Sequence, residues 1–323
     1  MPKFNFASYV AIFVAIVAPT VIAPSAELPA WAYPVNPKGV APIADDGSAK
    51  RVPNSAAAFT RTQIAAIGGE VPDWHPDEHP PMPAIVARGR APLVYACGYC
   101  HLPTGAGRPE NTSLAGLTST YIKQQMLAFR NGDRPGSEPL RLPQTLMIAV
   151  AKEATETEIA EAAAYFASLK PVSFVRVVET SSVPKTVVAG WTLTTAPGGG
   201  SEPMGCRIIE MPEDFERFEL RDSRTPYVAY VPIGSIARGA ELIATGGKGK
   251  TVQCVACHGP ELKGLADVPR LAGRSPSYLI RQLYDLRNGT RKGGTSALMK
   301  PVVAHLTDED MVALAACLAS REP

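Results

Sequence analysis

Two short stretches decide how this chain is read: Cys97-Gly98-Tyr99-Cys100-His101 and Cys254-Val255-Ala256-Cys257-His258. Both have the form C-x-x-C-H, the pattern of covalent haem attachment. The spacing follows from the chemistry. Two thiols add to the two vinyl groups of one haem, and the histidine that follows swings under the iron as its proximal ligand. A single copy leaves a zinc site or a redox CxxC open. A second copy in a chain with an export-type N-terminus closes those readings.

The sequence around the two motifs repeats. At an offset of 157 residues, Leu114-Ala115-Gly116 matches Leu271-Ala272-Gly273, Tyr121 matches Tyr278, Gln125 matches Gln282, and Arg130-Asn131-Gly132 matches Arg287-Asn288-Gly289. Further on the offset is 152, where Thr155 to Ile159 faces Thr307 to Met311, so the first copy carries five extra residues between the blocks. Each block reads as a helix. The segment through Tyr121 and Gln125 stops at Asn131-Gly132, and Thr155 and Thr307 are N-caps followed by acidic first turns.

An iron held by one histidine needs a sixth ligand or stays open. Met299 lies 41 residues after His258, in a loop between the two helices, and Met147 holds the aligned place 46 residues after His101. The difference is the five-residue insertion, which reshapes the Met147 loop. Met126 is the rival in the first copy, but it lies inside the first helix and its repeat counterpart is Leu283. Met311 aligns with Ile159 and reads as core, while Met82, Met204 and Met211 have no repeat partners.

This order of motif, Leu-Ala-Gly, Tyr-x-x-x-Gln, Arg-Asn-Gly, methionine and acid-capped terminal helix resembles class I cytochromes c. Two such domains in tandem resemble the dihaem cytochrome c4-like carriers of the bacterial periplasm. The resemblance covers residues 85–170 and 235–323. It implies a mainly α fold, a cytochrome c domain in each half, and two haem c groups. Cys97, Cys100, His101 and Met147 would serve one iron, and Cys254, Cys257, His258 and Met299 the other.

The remaining chain departs from that pattern. Lys3 precedes an apolar run broken by Pro19, and Ala30-Trp31-Ala32 has the small-x-small form of a signal-peptidase site. Residues 1–32 therefore read as a secretory signal cut after Ala32, giving a periplasmic protein with no integral membrane segment in the mature chain. Residues 33–84 form a proline-rich arm expected to run extended over the surface, in which His75 and His79 read as surface or packing histidines, with a metal or docking role as the alternative. Residues 171–234 read as a small β-containing connector with strands at Val172–Val178, Thr186–Thr194 and Arg207–Met211. In an oxidising compartment Cys206 and Cys317 could pair.

The 323 residues are 46% apolar with net charge +2, enough for packed cores and too nearly neutral for a nucleic-acid surface. Residues 237–323 nevertheless carry 12 Lys or Arg against 8 Asp or Glu. Arg270, Arg274, Arg291, Lys292 and Lys300 flank the second expected haem cleft and suggest a basic docking rim for an acidic redox partner. The leading expectation is an electron carrier that breaks no substrate bond, with a dehydrogenase or respiratory complex as donor and an oxidase or another cytochrome as acceptor. The alternatives are a cytochrome c peroxidase-like dihaem oxidoreductase with one open iron, in which His75 or His79 could stand in for Met147, and the cytochrome subunit of a larger dehydrogenase.

Overall fold

The computed structural model describes residues 28–39 and 43–323; the greater part of the expected leader lies outside them. The arm carries one turn of helix, α1 (Arg61–Ala65), held by a capping box between Thr60 and Gln63. The first helical unit follows as α2 (Ala84–Ala87), α3 (Cys97–His101), α4 (Ser119–Arg130), α5 (Leu142–Glu153) and α6 (Glu156–Ser168). The connector contributes β1 (Val175–Glu179), β2 (Ser182–Pro184), β3 (Thr186–Ala189), β4 (Thr192–Thr195), β5 (Ser201–Pro203), β6 (Ile209–Pro212), α7 (Phe215–Glu219) and β7 (Tyr227–Val231). The second unit is α8 (Ser235–Thr245), α9 (Val255–His258), α10 (Pro276–Arg287), α11 (Met299–Val303) and α12 (Asp308–Ala319). The chain is thus mainly α, a duplicated helical unit with small sheets between the copies.

The same local chemistry closes both copies. Thr155 and Thr307 form capping boxes with Glu158 and Asp310, which start α6 and α12. Arg130 donates to the Ala154 carbonyl and to Glu156, and Arg287 does the same to the Leu306 carbonyl and Asp308. Gly116 and Gly273 adopt left-handed φ of 70° and 66° and donate to the carbonyls of Phe166 and Leu318. Neither has room for a side chain: a Cβ on Gly116 would lie 2.9 Å from Pro171, and one on Gly273 would lie 2.8 Å from Pro323. The Leu-Ala-Gly motif is a seat for the end of each terminal helix.

In the second unit α12 is buried along ten of its residues and crosses α8 at Gly239. A Cβ at that glycine would stand 2.1 Å from the Ala313 carbonyl oxygen, so the bare backbone is what lets the helices touch. Cys317 lies at this crossing, 1% exposed, while Cys206 is exposed on the connector; both thiols are free.

The connector departs from its expected strands. Thr186–Thr194 is a hairpin, β3 and β4, turned through Gly190 and Trp191 at φ of 59° and 67°. Its main sheet runs β1-β7-β6, with β7 parallel to β1 and antiparallel to β6. The central strand β7 is apolar on both faces and therefore lacks the alternation that marks a half-exposed strand.

The arm also differs from a featureless extended run. Val52, Ile64 and Trp74 form a buried cluster with Leu220 of the connector, and the Trp74 indole donates to the Leu220 carbonyl at 2.7 Å. His75 is a packing residue, 5% exposed, with Nε2 3.0 Å from Asp222, and His79 lies 3.2 Å from Asp73. Among the described residues no group of three potential ligands collects around a metal position. At the arm's start, Leu28 and Trp31 pack on the second unit's core, and Tyr33 donates to Asp285 at 2.9 Å.

Candidate haem sites

In the first unit α3 carries Cys97, Cys100 and His101 onto the wall of a largely apolar cavity, open to solvent at its mouth. Leu117, Ile122, Phe129, Val150, Ile159 and Phe166 supply apolar walls, and Met126 and Met147 both face the space. The His101 Nδ1 donates to the Thr112 carbonyl at 2.9 Å, which orients the ring and leaves Nε2 for the cavity. Burial pulls the His101 pKa down to about 4, holding the neutral imidazole that a metal requires, and pushes the Cys97 thiol up to about 12.

The second unit repeats this in register. The His258 Nδ1 donates to the Pro269 carbonyl at 2.8 Å, and Pro269 is the repeat counterpart of Thr112. Burial again lowers the imidazole pKa. Cys254 and Met299 pack against the unit's apolar core, whereas Cys257 is exposed.

Two methionine positions differ from the loops expected of them. Met147 lies on the twelve-residue α5, because Leu142-Pro143 starts a helix that Gln144 to Glu153, rich in helix formers, continue. Met299 opens α11 directly after a 3₁₀ turn, Gly294–Leu298. Met126, read as core, shares the cavity with Met147, so the first site offers two thioethers.

Three members of the expected basic rim are not on the surface. Arg270 and Arg274 are each 3% exposed and reach across to the first unit, where Arg270 donates to Ser113 and the Ala115 carbonyl, and Arg274 to Thr112 and Ser113. Arg291 donates to its own Gln282 at 2.9 Å and to Tyr121 and Gln125 of the other copy at 3.1 and 3.2 Å. Arg134, its repeat counterpart, mirrors it: 3.0 Å to its own Gln125, and 3.0 and 2.8 Å to Tyr278 and Gln282. The repeated Tyr, Gln and Arg thus build a pseudo-twofold contact, a role that pairwise spacing along the chain does not reveal. Lys292 and Lys300 are exposed.

The donors around the cavity fit a haem. Arg134, Arg141, Arg274 and Arg281 are among the residues that line it, and Arg141 Nη2 is a buried donor without a partner among the described residues. A haem presents carboxylates at one edge and an apolar ring elsewhere, and buried guanidiniums facing apolar walls match that division.

Paired thiols, a following histidine oriented through Nδ1 and an apolar cavity define a covalent haem-binding electron-transfer protein. The cytochrome c family model matches residues 236–322. Cytochrome c-554(548) of Halomonas halodenitrificans is 45% identical over 80 residues, 24% of this chain and 96% of that protein. Cytochrome c4 of Azotobacter vinelandii is 26% identical over 236 residues, 72% of this chain and 85% of its own. A solved thiosulfate dehydrogenase (TsdBA) from Marichromatium purpuratum superposes with a TM-score of 0.50 at 27% identity, covering 74% of this chain and 39% of that one. The chain belongs to the cytochrome c family and is cytochrome c4-like. Among the described residues no helix is long and apolar enough to cross a membrane.

Proposed function

We propose that the chain carries two haem c groups, one in each helical unit (residues 85–170 and 235–323), and relays single electrons between redox proteins outside the cytoplasm. The observation that carries this is the equivalence of the two histidines, each with Nδ1 committed to a carbonyl at the same repeat position and Nε2 left for iron. Cys97, Cys100, Cys254 and Cys257 would hold the groups covalently, and His101, Met147, His258 and Met299 would supply the iron ligands. When bound, the haem would supply one-electron chemistry, at a potential that thioether ligands would raise. The chain's own residues fix the imidazoles, limit water through Phe129, Ile159 and Phe166, and receive carboxylates at Arg134 and Arg141.

A thiosulfate dehydrogenase is one structural relative, and an enzyme of that kind is a fitting donor. For export, the packing of Leu28 and Trp31 on the second core supports a signal cut ahead of Leu28 rather than after Ala32, since the later cut would strip both side chains from that core.

A carbon monoxide titration of the dithionite-reduced holoprotein, with haem counted by pyridine haemochrome, tests the reading. Two haems per chain and no carbon monoxide complex at neutral pH are expected. Stoichiometric binding at one haem refutes the closed-carrier assignment and turns attention to peroxide turnover.

A further inference from the structure

The two attachment motifs share a spacing but not an environment. Around the first, Gly98 and Tyr99 are buried: a Cβ on Gly98 would meet the Val86 carbonyl oxygen at 2.9 Å and Val71 at 3.5 Å. The Tyr99 hydroxyl donates to the Ala65 carbonyl at 3.2 Å. Arg221 of the connector lies 3.6 Å above the Tyr99 ring and donates to its carbonyl at 2.8 Å. Ile67, Val71 and Met82 of the arm pack with Tyr99 and Cys100. This cover is fastened to the connector by Arg61–Glu216, Glu78–Arg224 and His75–Asp222.

Around the second motif nothing comparable lies. Ala256 and Cys257 are exposed, as are Val252 at 52% and Leu298 at 73%. The Thr251 hydroxyl donates to the Val302 carbonyl at 2.7 Å, which ties the segment before Cys254 to the helix that Met299 opens and sets these apolar groups at one edge of the site. Lys248, Lys263 and Lys300, each within six residues in sequence of Val252, Cys257 or Leu298, are exposed; Lys263 lies 3.6 Å from Glu261, and Lys248 and Lys300 have no ion pair among the described residues.

The cover on the first motif shows what chemistry suits such a face. Residues 67–82 contain Glu70, Asp73, Asp77 and Glu78, with no Lys or Arg, around the apolar contacts of Ile67, Val71 and Met82. An apolar patch ringed by acids is the complement of the lysine-rimmed apolar edge at the second motif.

We propose that the face around Cys257, Val252 and Leu298 docks an acidic redox protein and is the port of the molecule, and that the arm and connector close the corresponding face at Cys100. The first centre then exchanges electrons with docked protein partners through the second. This rests on the two-haem reading above.

Hexacyanochromate(III), a redox-inert paramagnetic trianion, is the first probe, added to isotopically labelled holoprotein at low ionic strength. Amide signals of residues 248–263 and 297–300 broaden and those of 67–82 and 98–100 do not; broadening centred on the first motif overturns the assignment. In stopped flow with ferricyanide, the double variant Lys248→Glu/Lys300→Glu slows the second-order phase about tenfold at low salt, fading as the Debye length shrinks below roughly 10 Å, while Lys152→Glu in the first unit changes it less than twofold. An unchanged double variant, or a larger effect at Lys152, also overturns it. A haem count of one per chain refutes the two-centre reading instead, and the broadening map still decides the docking face.

Discussion

Replacing Gly239 by alanine tests the packing on which the second C-x-x-C-H unit stands, because helix propensity and close packing predict opposite signs. In an isolated helix the change stabilises by about 1 kcal/mol. Here the new Cβ falls 2.1 Å from the Ala313 carbonyl oxygen and 2.6 Å from the Cys317 Cβ, and the nearer obstacle is backbone that no rotamer change can move. Helices α8 and α12 must separate by roughly an ångström, and a gap of that size forfeits about a quarter to a half of the dispersion well at each contact along the crossing. Overpacking of this kind costs about 1–3 kcal/mol, with rigid backbone placing the site at the upper end. After the propensity gain the net loss is about 2 kcal/mol, close to a thirtyfold shift in the folding equilibrium. Urea denaturation of Gly239→Ala holoprotein, followed by far-ultraviolet circular dichroism, should show a lower midpoint at an unchanged slope. A midpoint equal to or above that of the parent refutes the argument.

Three further outcomes are expected. In the reduced holoprotein Met147→Ala admits one carbon monoxide per chain and Met126→Ala none, whereas the reverse pattern would transfer the ligand role to Met126. Arg134→Ala and Arg291→Ala each strand buried or half-buried Tyr and Gln partners of the other unit and lower stability by about 1–3 kcal/mol, with the double variant costing less than the sum, read from a double-mutant cycle in urea. The Asp310 carboxyl is penalised by burial, but Arg238 and Lys250 at 2.6 and 3.0 Å outweigh this and hold its pKa well below the usual range. A depressed carboxylate contributes stability above the unfolded value near about 3.9 and loses it as pH falls toward the folded value. Asp310→Asn should therefore lower stability at pH 7 and flatten its fall between pH 4 and 2, measured by urea midpoints at each pH.

The duplication was legible because each half needs the same bonds: the Arg130 and Arg287 clamps, the Gly116 and Gly273 seats and the Thr caps are all local or fixed by the offset. The two C-x-x-C-H motifs and the carbonyls that orient their histidines fall at that same offset. Other features depend on what a segment meets. Strand β7 hides its period because both faces are covered, and the arm's Trp74 finds its partner 146 residues away at Leu220. Arg270, Arg274 and Arg291 read as surface charge until the second unit is set against the first. Register paired Met147 with Met299 but did not show the helix that carries it, since the five extra residues give the first copy its own local propensity.

The contact built from Tyr121, Gln125 and Arg134 against Tyr278, Gln282 and Arg291 is that of an isologous dimer written into one chain. In a true homodimer every substitution at such a contact occurs twice, so no asymmetric bond can be tuned alone. Fusion removes that constraint. Arg270 and Arg274 stand where the first copy has Ser113 and Leu117, and both reach one way, into the first unit. Two copies of one motif can in this way be given different surroundings, one residue at a time.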